Sequence, residues 1–190
     1  NSGIFVVNFD DLGQGQNYAD LAIHSLLQNV EPKQNTFIGY KYLILISDEI
    51  DRSKTRHVAS KAFVSFGGYD NRKLSAYFLN LIPEIHGLTR YEIVVSGLDS
   101  QKLNNLKKLA STIGIGANVE IFVHQRPSDY HKLLATSDLA IVAGGLTAFD
   151  CAHAGVPSIA IPQYEHQLEN IKRLEKFGCL KLATREMELD

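Results

Sequence analysis

Residues 139–161, LAIVAGGLTAFDCAHAGVPSIAI, are the stretch of this sequence that decides its fold. The apolar runs Leu139 to Val142 and Ser158 to Ile161 have the length of buried strands, and Thr147 to Ala154 between them has helical length and period. Consecutive strand-helix-strand units are typical of a parallel sheet covered by helices. The stretch therefore predicts an α/β fold.

The same alternation runs from Lys61 towards the end of the chain. Further strands are predicted at Ala62 to Phe66, Glu92 to Val95, Val119 to Phe122 and Leu180 to Leu182. Further helices are predicted at about Arg72 to Ile82, Gln101 to Ile113, Ser128 to Ala135 and His166 to Phe177. Because such crossovers are almost always right-handed, we expect a Rossmann-like, doubly wound parallel sheet.

Residue types at the predicted helix ends support these boundaries. Ser100 and Ser128 are predicted as N-caps, because a hydroxyl can accept from the first free amides of a helix. Gly114 and Gly178 are predicted as C-terminal stops, and Pro83 as a terminator.

Residues 1–60 follow a different pattern, with short apolar runs, loops rich in Gly, Gln and Asn, and no long helix. The runs are Ile4 to Val7, Leu21 to Ile23 and Tyr42 to Ile46. The polar stretch Ser47 to Ser60 is predicted to be a linker. We therefore expect residues 1–57 to be the end of one domain with its linker, and residues 58–190 to be a second domain. The start at Asn1, without an initiator Met, is typical of a processed or truncated chain.

Composition excludes several classes of protein. Apolar residues make up 45% and charged residues 21%, which is typical of a soluble globular protein and not of a disordered, collagenous or coiled-coil chain. The net charge of -2 favours neither nucleic acid nor an anionic membrane, and no apolar run is long enough to span a bilayer. Cys151 and Cys179 are predicted to be reduced core residues of a cytoplasmic protein.

Two glycine pairs each follow a predicted strand and precede a predicted helix. They are Gly67-Gly68 and Gly144-Gly145. Glycines let the backbone approach an anion closely, and helix-start amides favour a phosphate. A single turn of this kind is more often only a tight connection, but two at the carboxyl ends of strands in one sheet face the same crevice. Together they predict a nucleotide-binding crevice.

Polar side chains follow the second glycine pair. Thr147 is interpreted as a helix cap or a phosphate donor, and Asp150 as an acceptor for ribose hydroxyls or a partner of the helix dipole. Gln167 and Asn170 share a helix face, where amides bind a sugar or phosphate or are simply solvated. His166 is a ligand contact, a general acid or an inert surface side chain.

Other chemistries find no support in the sequence. The seven histidines are scattered, without a pair at helical spacing that joins a carboxylate or a Cys, so we predict no metal site. There is no Walker loop, no dinucleotide-binding fingerprint and no nucleophile elbow. Kinase, dehydrogenase and serine-hydrolase functions are therefore not indicated, and no cofactor is expected.

One longer pattern goes beyond these local signals. Residues 144–162, GGLTAFDCAHAGVPSIAIP, are followed by His166-Gln167 and Asn170. This pattern resembles the C-terminal domain of family 28 glycosyltransferases of GT-B type, above all the spore-coat polysaccharide biosynthesis G group, which includes the UDP-sugar hydrolase of pseudaminic acid synthesis. Residues 66–70, FGGYD, match that group's strand-GG-x-D turn, and residues 9–12, FDDL, and 19–21, ADL, match segments at the end of its N-terminal domain.

The resemblance implies a role for each site residue. The glycines and Thr147 would contact the diphosphate, Asp150 would hold the ribose, and the backbone around Phe122 to His124 would meet the uracil edge. The implied nucleotide site consists of Gly67, Gly68, Phe122, Val123, His124, Gly144, Gly145, Leu146, Thr147 and Asp150. The implied sugar side consists of His166, Gln167 and Asn170.

The function implied by the resemblance is the UDP-sugar-binding part of a hydrolase or glycosyltransferase of surface polysaccharide or nonulosonic acid biosynthesis. Its ligand would be a UDP-sugar or UDP. The family's glycine-rich loop with its catalytic histidine is absent here, so the catalytic residues are unknown and we expect the missing N-terminal domain to be needed for turnover. Asp150 stands where the family more often has Glu, and Gly144-Gly145 where it has Ser-Gly or Ala-Gly.

Three alternatives remain open. They are a nucleotide-sugar epimerase of the same fold, a non-catalytic nucleotide-binding module, and a fragment that self-associates through an exposed apolar face.

Overall fold

The computed structural model describes residues 3–11, 13–26, 31, 33–45, 58–70 and 72–183. The chain divides into two compact units, residues 1–45 and residues 46–190. Of the predicted linker, Ser47 to Ser60, only residues 58–60 lie within the described part.

The first unit contains a three-stranded parallel sheet in the order β1-β2-β3. The strands are β1 (Val7–Phe9), β2 (Leu21–His24) and β3 (Thr36–Ile38), and 3-10 turns span Gly15–Tyr18 and Tyr40–Tyr42. Carboxylates hold the connections: Asp11 accepts from the amides of Gly13 (2.7 Å) and Gln16 (3.1 Å). These hydrogen bonds lower the pKa of the Asp11 carboxyl, and the bond from the Gly13 amide has the largest effect.

The second unit contains a six-stranded parallel sheet in the order β6-β5-β4-β7-β8-β9. Its strands are β4 (Lys61–Ser65), β5 (Arg90–Val95), β6 (Glu120–Gln125), β7 (Leu139–Val142), β8 (Ser158–Ala160) and β9 (Leu180–Leu182). Its helices are α1 (Leu74–Leu81), α2 (Ser100–Ala117), α3 (Tyr130–Ala135), α4 (Leu146–Ala154) and α5 (Glu165–Lys176). The predicted Rossmann-like parallel sheet is confirmed.

Both faces of this sheet are covered, as its strand pattern requires. Side chains alternate along β4, so that Ala62 and Val64 join the core formed with α1 and α2. Phe63 points to the opposite face, where its ring packs edge-on against Tyr130 of α3 at 5.4 Å. Each such aromatic or aliphatic side chain contributes about 1.5–3 kcal/mol when fully buried.

Several helix boundaries differ from the predictions. The N-cap of α2 is Asp99, whose carboxylate accepts from the Lys102 amide at 2.8 Å, so the prediction of Ser100 is wrong. The prediction of Ser128 is also wrong, because α3 begins after Asp129. Gly178 follows α5 with φ +73°, and Pro83 lies in a 3-10 turn just after α1, so both predicted stops are confirmed.

Gly114 was predicted to end α2, but the helix continues to Ala117 and ends at Asn118, which is left-handed with φ 56°. A Cβ at Gly114 would lie 2.9 Å from the carbonyl oxygen of Val119. Gly114 is therefore needed where the helix approaches the chain that enters β6.

In the described part of the chain, no helix combines the length and the apolar character that crossing a membrane requires.

Candidate functional site

The two glycine pairs lie side by side at one edge of the sheet. Gly67-Gly68 follows β4, Gly144-Gly145 follows β7, and these strands are adjacent and parallel, with Ser65 opposite Val142. The amide of Ala143 donates to the carbonyl of Ser65 at 3.2 Å, which continues the pairing up to the second glycine pair. The topology therefore brings together the two turns that the sequence singled out.

The helix start behind the second glycine pair has no side-chain cap. Gly145 is the N-cap residue of α4, with an extended backbone, and among the described residues no side chain accepts from the amides of the first turn. Such amides, aligned with the helix dipole, provide a site for an anion. Thr147 lies inside the helix, so its interpretation as the cap is wrong.

The first glycine pair is different, because no helix starts directly behind it. Helix α1 begins only at Leu74, and the Asp70 carboxylate already accepts from the amides of Leu74 (2.6 Å) and Ser75 (2.8 Å). The amides of Leu74 and Ser75 are therefore not free to bind a phosphate at this turn. What remains at this turn is the glycine backbone itself, with Gly67 at φ +85°.

The turn after β4 is held from the neighbouring strand. The hydroxyl of Ser96, just after β5, lies 3.3 Å from the carbonyl of Gly67 and 3.2 Å from that of Gly68 and can donate to either. A Cβ at Gly97 would lie 2.9 Å from the Gly68 carbonyl. Ser96 and Gly97 therefore fix the backbone of the first glycine pair.

Gly144 and Gly145 are glycines for different reasons. A Cβ at Gly144 would lie 2.7 Å from the backbone oxygen of Gln167 and from two carbons of Ile171, whereas a Cβ at Gly145 would have only Gln167 Nε2 within 4 Å, at 3.9 Å. Gly144 thus permits helix α5 to pack against the end of β7. Gly145 has open space beside it, towards the side-chain amide of Gln167.

Gln163 connects three parts of this site. Its side-chain Nε2 donates to the carbonyl of Phe66 at 2.6 Å, and its backbone amide donates to Gln167 Oε1 at 2.9 Å. The side chain is 2% exposed. Since Oε1 of Gln167 accepts this bond, its Nε2 is the group that remains to donate beside Gly145. Sequence reasoning missed Gln163, whose only signal was a polar residue just after a buried strand.

Thr147 and Asp150 lie on helix α4, close to α3. The Tyr130 hydroxyl donates to Thr147 Oγ1 at 3.1 Å, so the Thr147 hydroxyl hydrogen remains to donate elsewhere. Burial raises the pKa of the Tyr130 hydroxyl. Burial also raises the pKa of Asp150, while the nearby His131 and His153 partly oppose this effect.

The proposed sugar-side residues differ in exposure. His166 is exposed and its ring stacks on that of Tyr164, with centroids 5.5 Å apart. Gln167 is half-buried, and Asn170 is buried on the inner side of α5 next to Ile171. Of the three, His166 and Gln167 are therefore accessible to a ligand.

Phe122, Val123 and His124 lie within β6, which extends three residues past its predicted end to Gln125. The Phe122 ring lies 4.5 Å beneath the Arg90 guanidinium, and His124 Nε2 is 2.7 Å from Glu92 Oε2. Two strands, β5 and β4, separate β6 from β7. The backbone of residues 122–124, predicted to meet the uracil edge, is therefore separated from the second glycine pair by these two strands. The side chains of Phe122 and His124 lie on one face of the sheet, and that of Val123 packs against the core on the other face.

The Glu92 carboxylate is the centre of a charged cluster at that place. It is 1% exposed and lies 2.8 Å from Arg90 and 3.6 Å from Lys61, as well as next to His124. Burial alone raises the pKa of Glu92, but hydrogen bonds from His124 and Arg90 and the charges of Arg90 and Lys61 outweigh it, so the pKa is lowered. Sequence reasoning missed this cluster, because its members come from three strands.

Within the described ranges, no three His, Cys, Asp or Glu side chains are grouped so as to hold a metal ion.

Comparison with known proteins supports the fold. No family model matches the chain. The uncharacterized protein MJ1062 of Methanocaldococcus jannaschii is 27% identical over 186 residues, which covers 86% of this chain and 37% of the relative. The MurG structure from Acinetobacter baumannii has a TM-score of 0.61 at 20% identity, covering 95% of this chain and 53% of MurG. The glycotransferase of kitacinnamycin has a TM-score of 0.52 at 18% identity, and the match covers 91% of this chain and 44% of that structure.

At such identities the likeness shows the fold alone. The chain therefore has the parallel, Rossmann-like α/β fold that these GT-B neighbours share. It spans about half the length of the two solved structures and 37% of the length of MJ1062.

Proposed function

We propose that this chain is the nucleotide-sugar-binding part of a glycosyltransferase-type enzyme, and that its ligand is a UDP-sugar or UDP. The observation that carries the proposal is the pairing of β4 with β7, which sets two glycine turns side by side next to the uncapped start of α4. A ligand crevice at the carboxyl ends of parallel strands is the usual arrangement in open α/β sheets.

The diphosphate would lie at the start of helix α4. The amides of Leu146 and Thr147 have no side-chain acceptor in the part of the chain that the structure describes, and Gly145 has no side chain to obstruct a close approach. The helix dipole would favour negative charge at this position. If the bond between the sugar and the diphosphate breaks, the same amides would stabilise the charge that develops on the leaving group.

The ribose and the sugar would lie on either side of the diphosphate. Asp150, one turn into α4, is half-buried and offers a carboxylate for two ribose hydroxyls. On the other side, hydrogen bonding of Gln167 Oε1 to Gln163 leaves the Gln167 NH₂ group to donate to a sugar hydroxyl or a phosphate oxygen.

The finer assignment rests on the sequence resemblance. On that resemblance the protein would act in surface polysaccharide or nonulosonic acid biosynthesis, as a cytoplasmic UDP-sugar hydrolase or glycosyltransferase, with an epimerase of the same fold as the alternative. Residues 1–57 would be the end of the N-terminal domain and the linker. The catalytic groups would lie in the part of the enzyme that precedes them, so this chain would bind its ligand and turn it over poorly.

Calorimetric titration of the chain with UDP, CDP and GDP tests the proposal. We expect saturable binding that prefers UDP, and a loss of at least about tenfold in affinity in Asp150→Ala, since a charge-assisted hydrogen bond is worth about 1.5–3 kcal/mol. The control is Glu84→Ala, which removes an exposed carboxylate from the 3-10 turn after α1 and should bind like the wild type. Absence of binding by every nucleotide, or equal binding by Asp150→Ala, would refute the proposed site.

A further inference from the structure

Strand β6 forms one edge of the six-stranded sheet, and half of its main-chain groups point outwards from that edge. The amide of Glu120 donates to Thr89 (2.9 Å) and that of Arg126 to Val95 (3.2 Å), so the even-numbered residues between them pair with β5. The amides and carbonyls of Ile121, Val123 and Gln125 therefore point away from β5. In the described part of the chain, no strand pairs with this side.

This edge lacks the features that usually prevent edge-to-edge association. Residues 121–125, IFVHQ, contain no Lys, Asp, Glu or Pro, and Phe122 is 40% exposed. The opposite edge strand, β9, is only three residues long and carries the exposed Lys181 at its centre. The described parts of the two edges thus differ, and β6 is the better suited of the two to accept another strand.

We propose that two copies of this chain associate through antiparallel pairing of β6, centred on Val123, to form a continuous twelve-stranded sheet across a twofold axis. This inference goes beyond the proposed nucleotide site and does not depend on it. For two copies of β6 to form main-chain hydrogen bonds in an antiparallel pair, the odd-numbered residues of one copy must lie opposite odd-numbered residues of the other. With Val123 opposite its own copy, Ile121 faces Gln125 on both sides of the axis, which gives about six main-chain hydrogen bonds.

The same register is complementary in charge and in shape. It brings Glu120, which is 63% exposed and lies 3.3 Å from Arg90 of its own chain, close to Arg126 of the second copy, and it does so twice. Arg126 follows the end of β6 with a left-handed backbone at φ 48°, so it is the length of its exposed side chain that lets it reach Glu120. The register also places Phe122 opposite His124 of the second copy, in the closely spaced, non-hydrogen-bonded type of pair. The stacked row of Arg90 and Phe122 would then continue onto the ring of the other copy. A register centred on Phe122 would instead place Glu120 opposite His124, and Arg126 would have no acidic residue facing it.

The oligomeric state tests this proposal. Sedimentation equilibrium from about 10 µM to about 500 µM should show the mass rising from 21.1 kDa towards twice that value, because a short strand pair buries little area and is expected to be weak. Val123→Pro removes an outward-pointing amide and no bond to β5, although it also replaces a side chain that packs against the core. It should stay folded by circular dichroism, with a lower melting temperature, and remain monomeric.

Charge reversal provides the stricter test of register. Glu120→Arg and Arg126→Glu should each weaken dimerisation at least about fivefold, because like charges then face one another across the axis. The double variant should recover it, because the pair is re-formed with opposite polarity. If Val123→Pro fails to fold, this set of variants decides the question alone. A wild-type chain that is monomeric throughout, or single charge variants that dimerise as the wild type does, would overturn the proposal.

Discussion

Gly144→Ala is the substitution for which the structure gives the sharpest expectation. The backbone of Gly144 lies outside the left-handed region, so an L-residue could adopt it without strain. The obstacle is contact: the new Cβ would lie 2.7 Å from the Gln167 oxygen and from two carbons of Ile171. Because carbon atoms in good contact are about 3.5–4.0 Å apart, helix α5 would have to move by roughly 1 Å.

The expected cost follows from the nature of these atoms. Inserting one methyl group into a packed site usually costs about 1–3 kcal/mol. One of the atoms met here belongs to the backbone of α5 and cannot rotate away, so we expect about 2–3 kcal/mol. Gly145→Ala is the matched control, since its nearest atom would be at 3.9 Å, an ordinary contact. We expect its free energy of unfolding to lie within about 0.5 kcal/mol of the wild type.

Urea unfolding followed by circular dichroism at 222 nm measures both variants. With a typical m-value of about 2 kcal/mol/M, Gly144→Ala should lower the midpoint by about 1 M urea and Gly145→Ala by less than about 0.3 M. The displaced α5 also carries Gln167, so Gly144→Ala should weaken binding of a UDP-sugar under conditions where it is still folded. Equal midpoints for the two variants would refute the argument that Gly144 is required for packing.

The remaining predictions concern single polar groups. Tyr91→Phe should stabilise the chain by about 1 kcal/mol, because the hydroxyl of Tyr91 is buried and has no hydrogen-bond partner among the described residues. Tyr130→Phe should instead destabilise the chain by about 0.5–1.5 kcal/mol, because it removes the hydrogen bond to Thr147. If the two variants shifted the urea midpoint in the same direction, the difference between a bonded and an unbonded hydroxyl would be contradicted. The pKa of Glu92 is lowered in the folded state, so its contribution to stability is complete at pH values above its ordinary pKa of 4.5 and is lost as the pH falls through the folded-state pKa. Glu92→Gln should therefore be less stable than the wild type at neutral pH, and its melting temperature should depend less on pH. The pKa of Asp150 is raised, so its carboxylate takes up a proton at a higher pH than an ordinary Asp does. As the pH is lowered, the affinity for UDP should therefore begin to fall at a higher pH than an ordinary Asp would cause. This part of the pH dependence should disappear in Asp150→Asn, and its persistence would exclude Asp150 as the titrating group.

The alternation of apolar runs with helical segments was sufficient to predict the parallel sheet and the position of both glycine turns, because strand and helix periods are local properties of a sequence. Chain order also placed the turns at the carboxyl ends of strands, and hence at one edge. Helix ends were less well predicted, because a carboxylate such as Asp99 and a hydroxyl such as Ser100 compete for the same free amides. Geometry decides which of them accepts.

What only the tertiary structure decided depends on contacts between residues distant in the sequence. Gly114 and Gly144 are glycines because another segment approaches them, and nothing in their immediate neighbours indicates this. Glu92 finds its partners on three strands, and Gln163 reaches Phe66 across a separation of 97 residues. A sequence specifies the period and the turns of its elements locally, but the register between strands and the distance between elements are set by packing of the whole sheet. The sequence therefore determined which edge carries the two glycine turns, and packing determined which side chains support them.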